Sequence, residues 1–117
     1  MFVAYAILAI LLALMLVFSA RSKLVKNEQV VEIIHGRVGV PMTMFPFLAA
    51  CEIAGAVGLL IGLVYPPVGI AAAIGVALYF IGAVIAHLRV RDVKGLSAPL
   101  GPLVFSIIVT ALATASA

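Results

Sequence analysis

Tryptophan is absent, cysteine occurs once, histidine twice, and only four acidic side chains accompany seven basic ones in 117 residues. Each scarcity removes a class of protein. The single thiol, Cys51, has no partner for an internal disulfide and no CxxC neighbour, so dithiol redox chemistry is excluded. Two histidines and one cysteine, with no ligand pair at helical or finger-type spacing, argue against a structural zinc site. No phosphate loop, serine-centred elbow or dinucleotide fingerprint is present. The shortage of charge excludes most. With 67% of residues hydrophobic and 9% charged, a soluble domain of this length could not hide its apolar surface, because small domains bury only part of their chain. The expected solvent is a lipid bilayer.

What is there fits that solvent. Four apolar runs, at about residues 2–20, 45–65, 68–88 and 99–117, are each near the roughly 20 residues that span a hydrocarbon core as helix. The runs are too continuous for barrel strands, and helices alone satisfy their own backbone groups in lipid. The expected fold is all-α: one transmembrane domain over 1–117, an integral membrane four-helix bundle. All seven Lys and Arg fall in the loops 21–44 and 89–98, and none in the Tyr65-Pro-Pro link. The positive-inside rule then puts both loops in the cytoplasm and both chain termini on the extracytoplasmic side, in a bacterial inner membrane. Tyr5 and Tyr65 would sit at the outer headgroup level. Residues 2–20 lack a basic flank and exceed a usual signal-peptide core, so a retained span is expected. A pI of 9.4 requires no nucleic-acid partner, being the ordinary flank of a membrane protein facing anionic lipid.

Within the loop 21–44, residues 22–35 suit either a short interfacial helix or, at Val-Val-Glu-Ile-Ile, a strand; Gly36, Gly39 and Pro41 end it. Pro66-Pro67 predicts a tight antiparallel hairpin, while Gly95, Pro99, Gly101 and Pro102 loosen the entrance to the last span. Gly55, Gly58 and Gly62 share one side of span two. Gly75, Gly82 and Ala86 share a face of span three, and Ser106, Thr110 and Thr114 form a stripe in span four. Small residues admit close helix approach and hydroxyls can bond across helices, so these faces predict a compact bundle and allow a homodimer.

One carboxylate interrupts the apolar runs. Glu52 lies about 10 Å into span two from Phe45, where an unpaired charge costs several kcal/mol. It is expected to face the interior, beside the glycines. The bland role is a hydrogen bond locking two helices; the functional one is a proton-transferring or ligand-binding acid. His87 closes span three on the same side as the approach to Glu52, and Tyr79 lies two turns deeper with a hydroxyl that needs a partner. Arg89 follows His87 and could close the site or pair with Glu52. Arg91, Asp92 and Lys94 read as topological anchors, Lys23 as a snorkelling anchor, and His35 as solvated.

The segments Val38-Gly-Val-Pro41, Cys51-Glu-Ile-Ala-Gly-Ala-Val-Gly-Leu-Leu-Ile-Gly62 and Gly82-Ala-Val-Ile-Ala-His87-Leu-Arg89 together resemble the DoxX-like family of small four-helix membrane proteins. Members typically carry a Glu followed by Gly-Ala-x-Gly-Leu in helix two and Ala-x3-His-x-Arg ending helix three, and the resemblance covers residues 19–117. It implies that Glu52 and His87 correspond to the family's recurrent polar pair and Arg89 to the basic residue after it. The family takes its name from a subunit associated with thiosulfate–quinone oxidoreduction, other members look like accessory partners of redox enzymes, and an animal branch resembles a receptor-assembly chaperone. The absence of a cysteine pair and of facing haem-ligand histidines argues against independent electron transfer.

The reading that follows is a membrane protein with a small lipophilic or quinone-type ligand between its helices, bound by Glu52, Tyr79, His87 and Arg89, and a membrane redox partner. Two rivals use the same residues. In one, Glu52 and His87 are the catalytic acid/base pair of a cofactor-independent isomerase or epoxide-opening enzyme. In the other, the chain is a non-enzymatic assembly or accessory subunit, and its polar residues only hold the bundle.

Overall fold

In a computed structural model, residues 2–25, 28, 31–37, 39, 41–91 and 97–116 are described. Among the described residues four long α-helices stand out: α1 Phe2–Leu24, α2 Phe45–Ile61, α3 Pro66–Arg89 and α4 Ser97–Ser116. Among the described residues there is no strand. Three helices are long and apolar enough to cross a membrane, namely α1, α3 and the part of α4 from Pro99 to Ser116. The fourth, α2, has 17 residues and stands at the lower limit of spanning length, a shorter element than the four equal spans expected.

The breaks have local causes. A 3₁₀ turn, Met42–Met44, leads into α2, and Pro46 follows in its first turn, where a missing amide costs no hydrogen bond. Four backbone amides from Gly62 to Tyr65 bond back onto Gly58, Leu60 and Ile61, and Pro66-Pro67 then opens α3. α3 ends where Arg91 adopts a left-handed φ of 57° and its amide donates to the Leu88 carbonyl. α4 begins ahead of residue 99 and runs through Pro102, so the Gly-Pro pair lies inside the helix rather than before it. Of the long loop, Val31–Arg37 forms a π-helical turn. Residues 22–24, expected in a separate interfacial element, instead continue α1, and Glu28 is helical; residues 26–27 and 29–30, and the roles foreseen for Asp92, Lys94 and Gly95, lie outside the described residues.

The helices pack as a ring in the order α1–α2–α3–α4, closed by α4 on α1. Contacts between named residues set their directions. Tyr5 near the start of α1 touches the end of α2, and Lys23 near the end of α1 touches the middle of α2, so the two helices are antiparallel. The molecule measures 41 × 25 × 17 Å, and its long axis matches the roughly 40–45 Å of a full bilayer.

The core stripe follows the helical period. On α1 it runs Tyr5, Ala9, Leu12, Leu16, Ala20 and Lys23; on α2 it runs Phe45, Ala49, Glu52, Ala56 and Leu59. Two charged residues therefore occupy core positions. The large apolar side chains on the opposite faces, among them Phe18, Val57 and Leu78, are exposed, as in a bundle whose solvent is hydrocarbon.

The α2–α3 seam is set by glycine. A Cβ at Gly58 would stand 2.6 Å from the Ala72 Cβ, and one at Gly55 would stand 2.6 Å from Val76 Cγ2. At Gly62 it would strike both Gly69 and the Tyr5 hydroxyl. Tyr5 is accordingly an interior residue, 2% exposed, and its hydroxyl donates to the Leu59 carbonyl at 3.0 Å. At the end of α1 where the sequence puts it, the ring turns into the bundle instead of outward. The face of Gly75 and Gly82 behaves differently: a Cβ at either position would meet nothing within 4 Å, so these glycines do not pack inside the bundle. The hydroxyl stripe of α4 also departs from expectation. Ser106, Thr110 and Thr114 donate to carbonyls one turn back in α4, which satisfies them without a neighbouring helix.

Candidate functional site

Glu52 occupies the middle of α2, and the 4,3,4,3 spacing of that helix's buried residues turns it inward. It is 2% exposed. Antiparallel packing brings two donors to the same oxygen. Lys23 Nζ donates to Glu52 Oε1 at 2.6 Å, and the Tyr79 hydroxyl donates to Oε1 at 2.7 Å. Lys23 Nζ also donates to Ser19 Oγ, one turn back on α1, at 2.9 Å. One carboxylate thus ties α1, α2 and α3 together.

The pairing makes electrostatic sense. An ammonium and a carboxylate in contact present no net charge to the apolar surroundings, so neither carries the full cost of isolated burial. Lys23 lies in the last turn of α1, where the helix dipole favours a cation, and only 7% of its surface is exposed. The expected snorkelling anchor is instead an internal partner. The signal was present in the sequence: Ala9, Leu16 and Lys23 recur at intervals of seven along the buried stripe of α1, which places the ammonium among core residues rather than at the rim.

The other foreseen residues are placed as follows. Tyr79 meets Glu52 directly, with the Phe80 ring edge-on to its own at 5.0 Å and 85°. His87 is buried, 6% exposed, and held by an interaction of its own. It lies two turns from Tyr79 towards the basic end of the bundle, about 12 Å along α3. Arg89 is exposed where α3 ends. The cation on Glu52 is Lys23 of α1, and not Arg89 at the end of α3. His35 is exposed in the π-helical turn.

Glu52 Oε2 is buried and has no hydrogen-bond partner. A cleft of about 570 Å³ is lined by Glu52 and Tyr79 and by apolar groups that include Leu16, Gly55, Val76 and Leu78, with the Glu52 side chain itself fully covered. Cys51, Ala54, Gly75 and Leu78 along it are exposed, so the cleft opens sideways between α2 and α3, onto the apolar outer surface. The cleft thus offers an apolar hollow beside the buried Lys23–Glu52–Tyr79 cluster. Among the described residues no three His, Cys, Asp or Glu side chains converge on a point.

The family model described as the DoxX-like family matches residues 7–111, nearly the whole chain. No curated protein and no solved structure matches the chain.

Proposed function

The chain belongs to the DoxX-like family, and from that premise we propose that it is a membrane protein holding a small lipophilic or quinone-type ligand against Glu52 and Tyr79. One observation carries the reading: a side-opening cleft shares its wall with a buried carboxylate that has one oxygen unpartnered. A buried polar atom without a partner is costly, and natural sites that keep one usually complete it with something bound. The apolar lining suits a hydrocarbon body. A lateral opening admits that body from the bilayer without passage through water.

In this reading Glu52 and Tyr79 meet the ligand's polar end, and His87 and Arg89 line the way from the basic end. In the same reading that end faces the cytoplasm across a bacterial inner membrane, with both termini outside, an orientation the positive-inside rule supports. The proposal includes a role beside a membrane redox enzyme, for which the family resemblance is the support. The test is native mass spectrometry of the protein extracted from its membrane. A co-purified lipophile is expected, and Gly75→Leu, which fills the cleft from a position with open space around it, should release it. Bare protein, or equal retention by the variant, removes the reading.

A second reading is favoured by a different observation. The Lys23–Glu52–Tyr79 cluster ties three helices together, and the outward face of Gly75 and Gly82 has room for another helix. An accessory subunit would use its polar groups for rigidity and that face for docking. A stoichiometric partner crosslinked at Gly82 in native membranes, and retained in Glu52→Gln, would favour this alternative.

A further inference from the structure

The cleft and an exposed arginine share one face of α3, and together they fit a membrane lipid. We infer that an anionic phospholipid of the leaflet at the basic end is resident here, with one acyl chain in the cleft and its phosphate at Arg89. The inference shares the cleft with the reading above but sets the polar group at the membrane surface. A small ligand then enters by displacing this chain.

The cleft itself asks for hydrocarbon. The Glu52 side chain is fully covered, and the Tyr79 hydroxyl is committed to Oε1. Most of the remaining wall is Leu16, Gly55, Ala72, Gly75 and Val76. A headgroup pressed against such a wall would give up its water without replacement, whereas an acyl chain has none to lose.

The same helix provides a track to the surface. Gly75, Leu78, Gly82, Ile85 and Arg89 recur at helical spacing along one exposed face. Leu78 and Ile85 stand proud of it, and between them Gly82 leaves a notch where a Cβ would meet nothing within 4 Å. From Leu78 to Arg89 is about 16 Å along the helix axis, roughly half of the hydrocarbon core. One leaflet's acyl chains fill that depth. A chain whose tail rests in the cleft therefore carries its headgroup at the level of Arg89.

Charge completes the match. Arg89 is exposed, and among the described residues no carboxylate pairs with it. Its guanidinium can hold a phosphate through two parallel hydrogen bonds. Arg91, also exposed, follows just beyond the helix. Basic groups bordering a pocket between membrane helices are a known means of holding anionic headgroups. A zwitterionic lipid offers the same chain without the net charge.

The experiment is native mass spectrometry of the full chain, delipidated in detergent and titrated with phosphatidylglycerol or phosphatidylcholine of identical acyl chains. The first bound lipid should favour phosphatidylglycerol by about fivefold, the effect of one basic side chain near an anionic headgroup. Arg89→Gln should erase that preference, whereas Arg21→Gln, which removes an exposed cation from the end of α1, should leave it. Gly75→Leu, at a position with open space around it, should weaken both lipids alike. No preference in the unaltered protein, equal loss of it in the two arginine variants, or binding indifferent to Gly75→Leu each overturns the inference. If a smaller co-purified lipophile is still released by Gly75→Leu, the reading above stands without it.

Discussion

The two ends of the bundle are joined by opposite means. At the end holding the α2–α3 hairpin, Gly62 and Gly69 bring two helices into backbone contact, and the Tyr5 hydroxyl of α1 packs on both glycines while donating one neutral hydrogen bond to the Leu59 carbonyl. Towards the basic end the same three helices meet through Lys23, Glu52 and Tyr79, around a carboxylate with a cleft beside it. The first junction works by proximity and leaves no room. The second works by charge, and charge acts across a gap. A bundle needing only rigidity could have repeated the glycine seam along its whole length; the polar junction is where space has been kept.

Substitutions can break this contrast, beginning with the largest expected effect. Lys23→Leu strands a buried carboxylate and should cost about 3–5 kcal/mol, as removal of one partner of a buried pair does. Thermal unfolding in detergent reads it, and Lys23→Leu with Glu52→Leu should recover most of the loss, because the stranded charge is gone. If the double variant is no more stable than Lys23→Leu alone, the pair is not a coupled unit. Gly62→Val forces a side chain onto Gly69 and the Tyr5 hydroxyl and should cost about 1–3 kcal/mol by overpacking. The same assay should place it below the lysine variant.

Those tyrosines sharpen the comparison, since each removes one hydroxyl from one junction. Tyr79→Phe deletes a bond to a charged acceptor and should cost about 1.5–3 kcal/mol, whereas Tyr5→Phe deletes a neutral one and should cost about 0.5–1.5 kcal/mol. The reverse order would mean that charge contributes little at the polar junction. The smallest effect has the opposite sign. Gly82→Ala has open space for its Cβ and should raise stability by up to about 1 kcal/mol through helix propensity. A measured loss would show that this face is occupied in the bilayer.

Much of the architecture could be read from residue order. The helices follow from apolar length, and the Gly55–Gly58–Gly62 side of α2 is the seam it was expected to be, because small residues at helical spacing act through backbone approach and need no specific partner. Tyr79 beside Glu52 was legible in part, since both were expected to face inward from adjacent helices. Other features depended on information that one helix does not contain. Whether Gly75 and Gly82 face a neighbour depends on how α3 is rotated, which Gly69, Ala72 and Val76 settle against α2. The α4 hydroxyls have a local alternative in carbonyls one turn back, and local bonds form without a partner helix. Lys23 was misjudged because a long cation at a helix end ordinarily reaches for the headgroups; its register with Leu16 was the stronger signal.

The difference in helix length has a consequence for the bilayer itself. At 17 residues, α2 covers about 25 Å, while the 24 residues of α3 cover about 36 Å. No membrane of uniform thickness matches both, and the mismatch is relieved by local thinning beside α2 or by tilt of its longer neighbours. Thinning would carry headgroups and water closer to the carboxylate than its nominal depth implies. Acyl-chain length then becomes a control on the site: thick membranes should hide Glu52, and thin ones should open it.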